Sequence, residues 1–337
     1  MINGHGDDYF NFNHIEINFS SNVYQSPAIP ALQQYLAGQL HLITRYPEPD
    51  AASLKQLLSE TYHISGQKLW ITNGAIEAIY LIAQAFQNQR ATILAPTFSE
   101  YADASRIHNL TIQYIYNIDE FKGDSELFWL CNPNNPTGIY WDDETLIALF
   151  KQYPQTTFVV DESYLAFVQS ARKNFFPYQH LPNVITLHSL TKCFAIPGLR
   201  LGYFSASKQL IQRISHYAMP WSVNQLAIEA GKFLTKHKEK FAVPLIDLLK
   251  KRENLCDAIN QISRLSTLPT QTHFFLVHIQ NETITASELK KILGEEYGIL
   301  IRDCANFEGL TPYYFRIATQ KKEANESLIN ALQMIFN

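Results

Sequence analysis

At 337 residues the chain is long enough for about two domains of ordinary size, with a core that needs no disulfide or metal staple. Hydrophobic residues make up 46% and charged residues 17%, below the ~25% usual in soluble proteins, which leaves room for a large core. Thirty-one acids against 27 bases give a net charge of −4, spread along the chain. That argues against a nucleic-acid binder, and 13% aromatics argue against disorder.

Residues 1–50 read as irregular, punctuated by Pro27, Pro30, Pro47 and Pro49. Leu69–Thr72 reads as a short buried strand, Asn73-Gly74 as a turn, and Ala75–Phe86 as a helix apolar nearly all round. Strands are expected at Ala91–Ala95, Ile112–Tyr116, Glu126–Cys131, Thr157–Val160, Val184–His188 and Leu201–Phe204, with a helix near Glu100–His108. Continuous apolar strands alternating with helices predict an α/β fold with a mostly parallel sheet covered on both faces. After Trp221 one long helical stretch is expected from Asn224 to about Ile262. The strand His273–Ile279, the helix Ala286–Tyr297, the strands Ile299–Arg302 and Tyr313–Ala318, and the helix Lys322–Phe336 follow. These suggest a smaller α+β domain at the carboxyl end. The expected division is an amino-terminal arm over 1–45, a large domain over 46–225 and a small domain over 226–337.

No apolar run approaches the roughly 18–20 residues of a membrane span, and the acidic start has no signal-peptide pattern. The four cysteines form no CxxC pair, so reduced thiols in a cytoplasm are the expectation. No histidine falls in HExxH or a comparable cluster, so no metal site is expected.

Glycine is scarce, 13 in the chain, and four glycines border strands: Gly74, Gly138, Gly198 and Gly202. In an open parallel sheet, ligands bind beyond the carboxyl ends of the strands. The loop Thr72–Glu77 ends a strand and opens a helix, whose free amides suit a phosphate as well as a plain turn. Neither GxGxxG after a strand nor GxxxxGK[ST] is present. The run Cys131-Asn132-Pro133-Asn134-Asn135-Pro136-Thr137-Gly138 is a rigid turn whose amides can face a ligand. In Val159-Val160-Asp161-Glu162-Ser163-Tyr164 a carboxylate ends a hydrophobic strand, where burial is costly without a cation opposite. Ser189-Leu190-Thr191-Lys192 precedes Pro197-Gly198-Leu199-Arg200-Leu201-Gly202. Lys192 reads as surface charge or as a lysine that bonds a carbonyl. The SxxK match to acyl-serine hydrolases lacks its S-D-N and K-T-G partners.

A phosphate cup, an Asn-Pro turn, a buried Asp and a Lys in this order resemble the fold-type I pyridoxal-phosphate enzymes of the aminotransferase class I/II superfamily. The resemblance covers about Tyr46 to Arg316. It implies the PLP-dependent transferase fold, with a seven-stranded type of sheet in the large domain, and pyridoxal 5′-phosphate as cofactor. It further implies that Lys192 bonds the cofactor and carries protons, and that Asp161 pairs with the pyridinium nitrogen. Asn135 and Tyr164 would bond the phenolic oxygen, and Phe98 would stack on the ring. Gly74, Ala75 and Ile76 amides, Ser189 and Arg200 would hold the phosphate. Ile76 departs from the polar residue many relatives carry there. Tyr46 would reach the phosphate from the neighbouring subunit of a homodimer with a shared site.

By the same resemblance Arg316 grips the substrate α-carboxylate, a bidentate task suited to guanidinium. Arg302, on the preceding strand, would bind a second anionic group, which points to an amino acid or amino alcohol that also bears a phosphate. Two subfamilies fit. In threonine-phosphate decarboxylases of cobalamin synthesis this frame removes CO₂ from L-threonine O-3-phosphate, giving (R)-1-amino-2-propanol phosphate. In histidinol-phosphate aminotransferases it transaminates with 2-oxoglutarate. The opening His5–Asp8, the cup Asn73–Glu77 and the run Arg302–Leu310 look like the decarboxylases, which implies substrate-phosphate contacts for His5 and Asn22. Asn22–Pro27 departs from the asparagine- and proline-rich segment usual there. Nothing in the chain implies a nucleic-acid or membrane partner.

Overall fold

The computed structural model describes residues 6–169, 175–282 and 284–336. Its strands, in chain order, are β1 (Ile17–Asn18), β2 (Leu69–Thr72), β3 (Arg90–Leu94), β4 (Thr111–Ile115), β5 (Leu127–Cys131), β6 (Thr157–Asp161), β7 (Val184–Ser189) and β8 (Gly202–Ser205). The later ones are β9 (Leu265–Thr267), β10 (Phe274–Ile279), β11 (Ile299–Leu300), β12 (Arg302–Asp303) and β13 (Tyr314–Ala318). Seven of them form one sheet in the order β2-β8-β7-β6-β5-β3-β4. Only β8 runs against its neighbours, pairing antiparallel with both β2 and β7. A four-stranded antiparallel sheet, β12-β13-β10-β9, holds the carboxyl-terminal strands. β1 pairs in parallel with β11, Ile17 opposite Ile299, which ties the amino-terminal segment to the later part of the chain.

Side chains alternate across a strand, and β5 shows how that fills two cores at once. Leu127, Trp129 and Cys131 enter one cluster with Ile79, Ile82 and Phe204. Phe128 and Leu130 enter another, with Phe158, Val160 and Phe150. Helix Gly74–Ala85 covers the first face and helix Asp143–Gln152 the second, so the sheet is buried on both sides as continuous apolar strands require. In the second sheet Phe275, Val277 and Ile279 pack on helices Leu245–Asn260, Ala286–Tyr297 and Lys322–Phe336.

Several elements differ from the sequence expectation. The expected irregular start contains helix Ile29–Gln39, and a further helix, Ala52–Tyr62, follows it. Pro30 sits in the first turn of the former, where its missing N–H has no intrahelical acceptor and its fixed φ suits the helix. The single stretch expected from Asn224 is two helices, Gln225–Lys236 and Leu245–Asn260, because Pro244 stands as N-cap of the second and cannot continue the first. Gln225–Lys236 packs with Leu54, Ile71 and Leu201, on the side of the seven-stranded sheet. The expected strand Ile299–Arg302 divides at Ile301 into β11 and β12, which pair with different partners. Among the described residues, no helix is long and apolar enough to cross a membrane.

Candidate active site

The carboxyl ends of β3, β5, β6 and β7 converge on one cavity of about 400 Å³, lined in part by Phe98, Asn135, Asp161, Tyr164, Ser189 and Lys192. At its edge lies the start of helix Gly74–Ala85. Gly74 has φ +76°, and a Cβ there would stand 2.8 Å from Arg200 Nη2. A Cβ on Gly202 would stand 2.7 Å from the Ala75 nitrogen. Only glycines let Arg200 and the strand β8 close this tightly on the helix terminus. Glu77 accepts the Asn73 N–H, while the N–H groups of the first helical turn have no acceptor within the helix. Ala75, Ile76, Ser189 and Arg200 all line the cavity, so the cup presents backbone donors, a hydroxyl and a guanidinium to one anion. The Ile76 side chain contributes packing there.

Asp161, 4% exposed, ends β6. Its Oδ1 accepts from the Ser163 N–H (2.9 Å) and hydroxyl (2.6 Å), and its Oδ2 from the Tyr101 hydroxyl (2.8 Å). Burial raises the Asp161 pKa, and the Ser163 and Tyr101 bonds oppose that rise. Lys192 Nζ donates to the Ser21 carbonyl (3.2 Å). Burial, then Arg316 and Arg200, lower its pKa to about 8. That places roughly two orders of magnitude more of it in the neutral, nucleophilic form near neutrality than an ordinary lysine has. Burial pushes Tyr164 up to about 12, which keeps its hydroxyl a donor.

Arg302 and Arg316 are direct cross-strand partners on β12 and β13, 5% and 4% exposed. Arg316 donates to Asn135 Oδ1 and to the Ser20 carbonyl, while its Nε has no partner. Arg302 donates to the Asp303 carbonyl and to Asn306 Oδ1 (2.7 Å), and lies over the Phe307 ring. Burial and Arg316 lower its pKa to about 10. Among the described residues neither guanidinium has a carboxylate partner in a salt bridge. Like charges directly opposite one another are destabilising, and both of these guanidiniums line the cavity.

The remaining predicted residues lie elsewhere. Tyr46 is 85% exposed, its ring tilted against Trp221 at 5.4 Å, and it does not line the cavity. Asn22 is fully buried, in the left-handed region at φ +52°, with neither side-chain amide atom in a hydrogen bond of good geometry. His5 lies outside the described residues. Sequence reasoning missed Tyr101, whose signal is its position three residues after Phe98, and His273, whose ring lies tilted against Phe167 at 3.9 Å. It also missed Asp7, in the cavity wall, with its N–H on Ser20 Oγ (2.8 Å) and its carboxylate on Asn18 Nδ2 (2.5 Å).

The chain belongs to the aminotransferase class I and II family, whose sequence profile matches residues 14–332. It is 31% identical over 310 residues to a histidinol-phosphate aminotransferase of Caldanaerobacter subterraneus subsp. tengcongensis, covering 87% of this chain and 84% of that protein. It is 29% identical over 337 residues to the threonine-phosphate decarboxylase of Salmonella typhimurium, covering 95% and 91%. The crystal structure of L-threonine-O-3-phosphate decarboxylase from Porphyromonas gingivalis superposes with a TM-score of 0.91 at 36% identity, covering 95% of this chain and 99% of that one. The fold is that of the PLP-dependent fold-type I enzymes, and the chain is an enzyme of that group, an aminotransferase or a carboxy-lyase.

Proposed function

We propose that the chain is a carboxy-lyase that removes CO₂ from L-threonine O-3-phosphate to give (R)-1-amino-2-propanol phosphate, with pyridoxal 5′-phosphate as cofactor. The observation that carries this reading is the pair of buried guanidiniums Arg302 and Arg316 on facing strand residues, neither of them in a salt bridge among the described residues. They suit a substrate with two anionic groups. The 36% identity to the Porphyromonas gingivalis decarboxylase over nearly the whole chain supports carboxy-lyase over transaminase chemistry.

The donor set fits the cofactor. The Gly74 cradle, closed by Arg200, takes a phosphate, and the one side of Asp161 not occupied by Ser163 and Tyr101 takes a ring N–H. When bound, pyridoxal phosphate supplies an electron sink for the bond broken at the substrate Cα. Lys192, with its lowered pKa, would deliver a proton to that carbon once CO₂ has left. Asp161 holds the proton on the ring nitrogen, and Asn135 and Tyr164 bond the phenolic oxygen. Phe98 covers the ring face. Arg316 holds the α-carboxylate and Arg302 the substrate phosphate. By holding the two anionic ends of the substrate, they would set which Cα bond faces the cofactor, and so whether CO₂ or a proton would leave. We place Tyr46 on a second copy's site in a homodimer, since it points outward here.

Two incubations test the reading. L-threonine O-3-phosphate should release CO₂. Histidinol phosphate with 2-oxoglutarate should give no glutamate. Glutamate without CO₂ assigns the aminotransferase instead, the reading favoured by the 31% identity to the Caldanaerobacter enzyme.

A further inference from the structure

We infer that Tyr101 is a positioning residue that sets where the proton shared between Asp161 and the cofactor ring resides. The inference rests on the pyridoxal-phosphate reading above. A carboxylate offers about four acceptor positions. At Asp161 two are taken on Oδ1 by Ser163 and one on Oδ2 by Tyr101, which leaves one on Oδ2, and Asp161 lines the cavity. Because Oδ1 is held by both a backbone N–H and a hydroxyl, the carboxylate cannot rotate to exchange its oxygens. Tyr101 therefore donates to the same oxygen that receives the ring N–H.

The hydroxyl is fixed by packing. Tyr101 is fully buried at the start of helix Glu100–Ile107, its ring stacked on Trp129 at 5.2 Å and 9° between planes. Trp129 is anchored in turn by Nε1–H to Ser105 Oγ (3.2 Å). The Phe98 ring meets Tyr101 edge-on at 5.8 Å, so the residue over the ring and the residue behind the carboxylate are in contact. Burial, with the Asp161 and Cys131 neighbours, raises the Tyr101 pKa well above 10, so it remains a donor.

A donor on Oδ2 disperses the carboxylate charge and lowers its affinity for a proton. The proton between Asp161 and the ring then stays on nitrogen. Without Tyr101 it moves toward Oδ2, the ring withdraws electrons less strongly, and the nitrogen of the lysine–cofactor bond becomes more basic. The consequence is spectroscopic and does not depend on turnover.

The test is a pH titration of the visible band that borohydride-reducible cofactor gives on the holoenzyme, for the parent and Tyr101→Phe. The Phe ring keeps the Trp129 stack and removes only the donor. We expect the midpoint to rise by about one pH unit, a tenfold change in proton affinity, and cofactor loss on dialysis to accelerate several-fold. Tyr101→Met, which fills the space without a donor, gives the same shift if the Phe variant does not fold. A variant titration that overlays the parent, with only thermal stability altered, overturns the inference and leaves the cofactor reading standing. A parent protein that shows no reducible band overturns both.

Discussion

Lys192 carries a cost in the cofactor-free protein that its function explains. Its folded pKa of about 8 lies below that of an ordinary lysine, so between pH 8 and about 10.5 the unfolded chain binds more protons than the folded one. Ionised Lys192 thus destabilises the fold below pH 8, and the penalty fades as pH rises through that window. Lys192→Met should stabilise the cofactor-free protein at pH 7 by roughly 1–3 kcal/mol, discounted for partial exposure, while abolishing turnover. Chemical denaturation at pH 7 and pH 10 checks it; an equal gain at both would refute the linkage. His273 behaves differently. Its ring lies against the Asn22 backbone and faces Arg316 and Lys192, and burial lowers its pKa to about 3. It is neutral in both states at pH 7, and as pH falls below about 6.5 only the unfolded state gains the proton. Stability therefore falls on acidification, by about 2 kcal/mol at pH 5 from this group alone. His273→Gln should remove that part of the acid limb in pH-dependent unfolding, and a parallel limb would show His273 to be silent. The residues singled out from the sequence, among them Gly74, Asn135, Asp161 and Lys192, lie at or just beyond the carboxyl end of a strand, where turn residues mark them. Tyr101 lies between Glu100 and Asp103 in a helix and His273 just before the apolar run Phe274–Val277, where no turn or motif marks either one.

Strands were legible because their apolar runs are continuous, and helix Ala286–Tyr297 because Thr285 and Glu288 form a capping box. Helix Ile29–Gln39 was hidden by a proline that belongs to its first turn. At this scale the informative motif is β12 beside β13. Two residues of the same sign meet across an antiparallel pair, a placement that no sequence spacing specifies. The strand at Ile299–Arg302 was visible, but its division at Ile301, which turns Arg302 to face Arg316, was not. Arg302→Ala should raise KM for the phosphorylated substrate ten- to a hundredfold, since a charged hydrogen bond contributes about 1.5–3 kcal/mol. An unphosphorylated amino acid such as threonine should lose far less. Equal losses for both would detach Arg302 from the phosphate.

Across the whole molecule the cavity draws on residues from Gly6 to Arg316, so the seven-stranded sheet, the amino-terminal segment and the antiparallel sheet must all be formed before it exists. Of the predicted contributors, Tyr46 and Asn22 do not line it, and Tyr46 is the exposed one. Tyr46 packs on Trp221, 48% exposed, and the exposed apolar residues also include Leu40 at 52%, Ile43 at 66% and Met219 at 72%. Exposed apolar side chains of this kind fit the homodimer proposed above, in which a second copy would cover them and bring Tyr46 to a cofactor phosphate. Sequence could name Tyr46 for that role only through resemblance, because nothing local distinguishes it from a loop tyrosine. Ile43→Glu places a charge among these side chains without touching the cavity. It should shift sedimentation from dimer toward monomer and weaken cofactor retention in step, both effects fading as protein concentration rises. Monomeric parent protein that retains cofactor would remove Tyr46 from the site, and dimer loss with unchanged retention would make the interface structural alone.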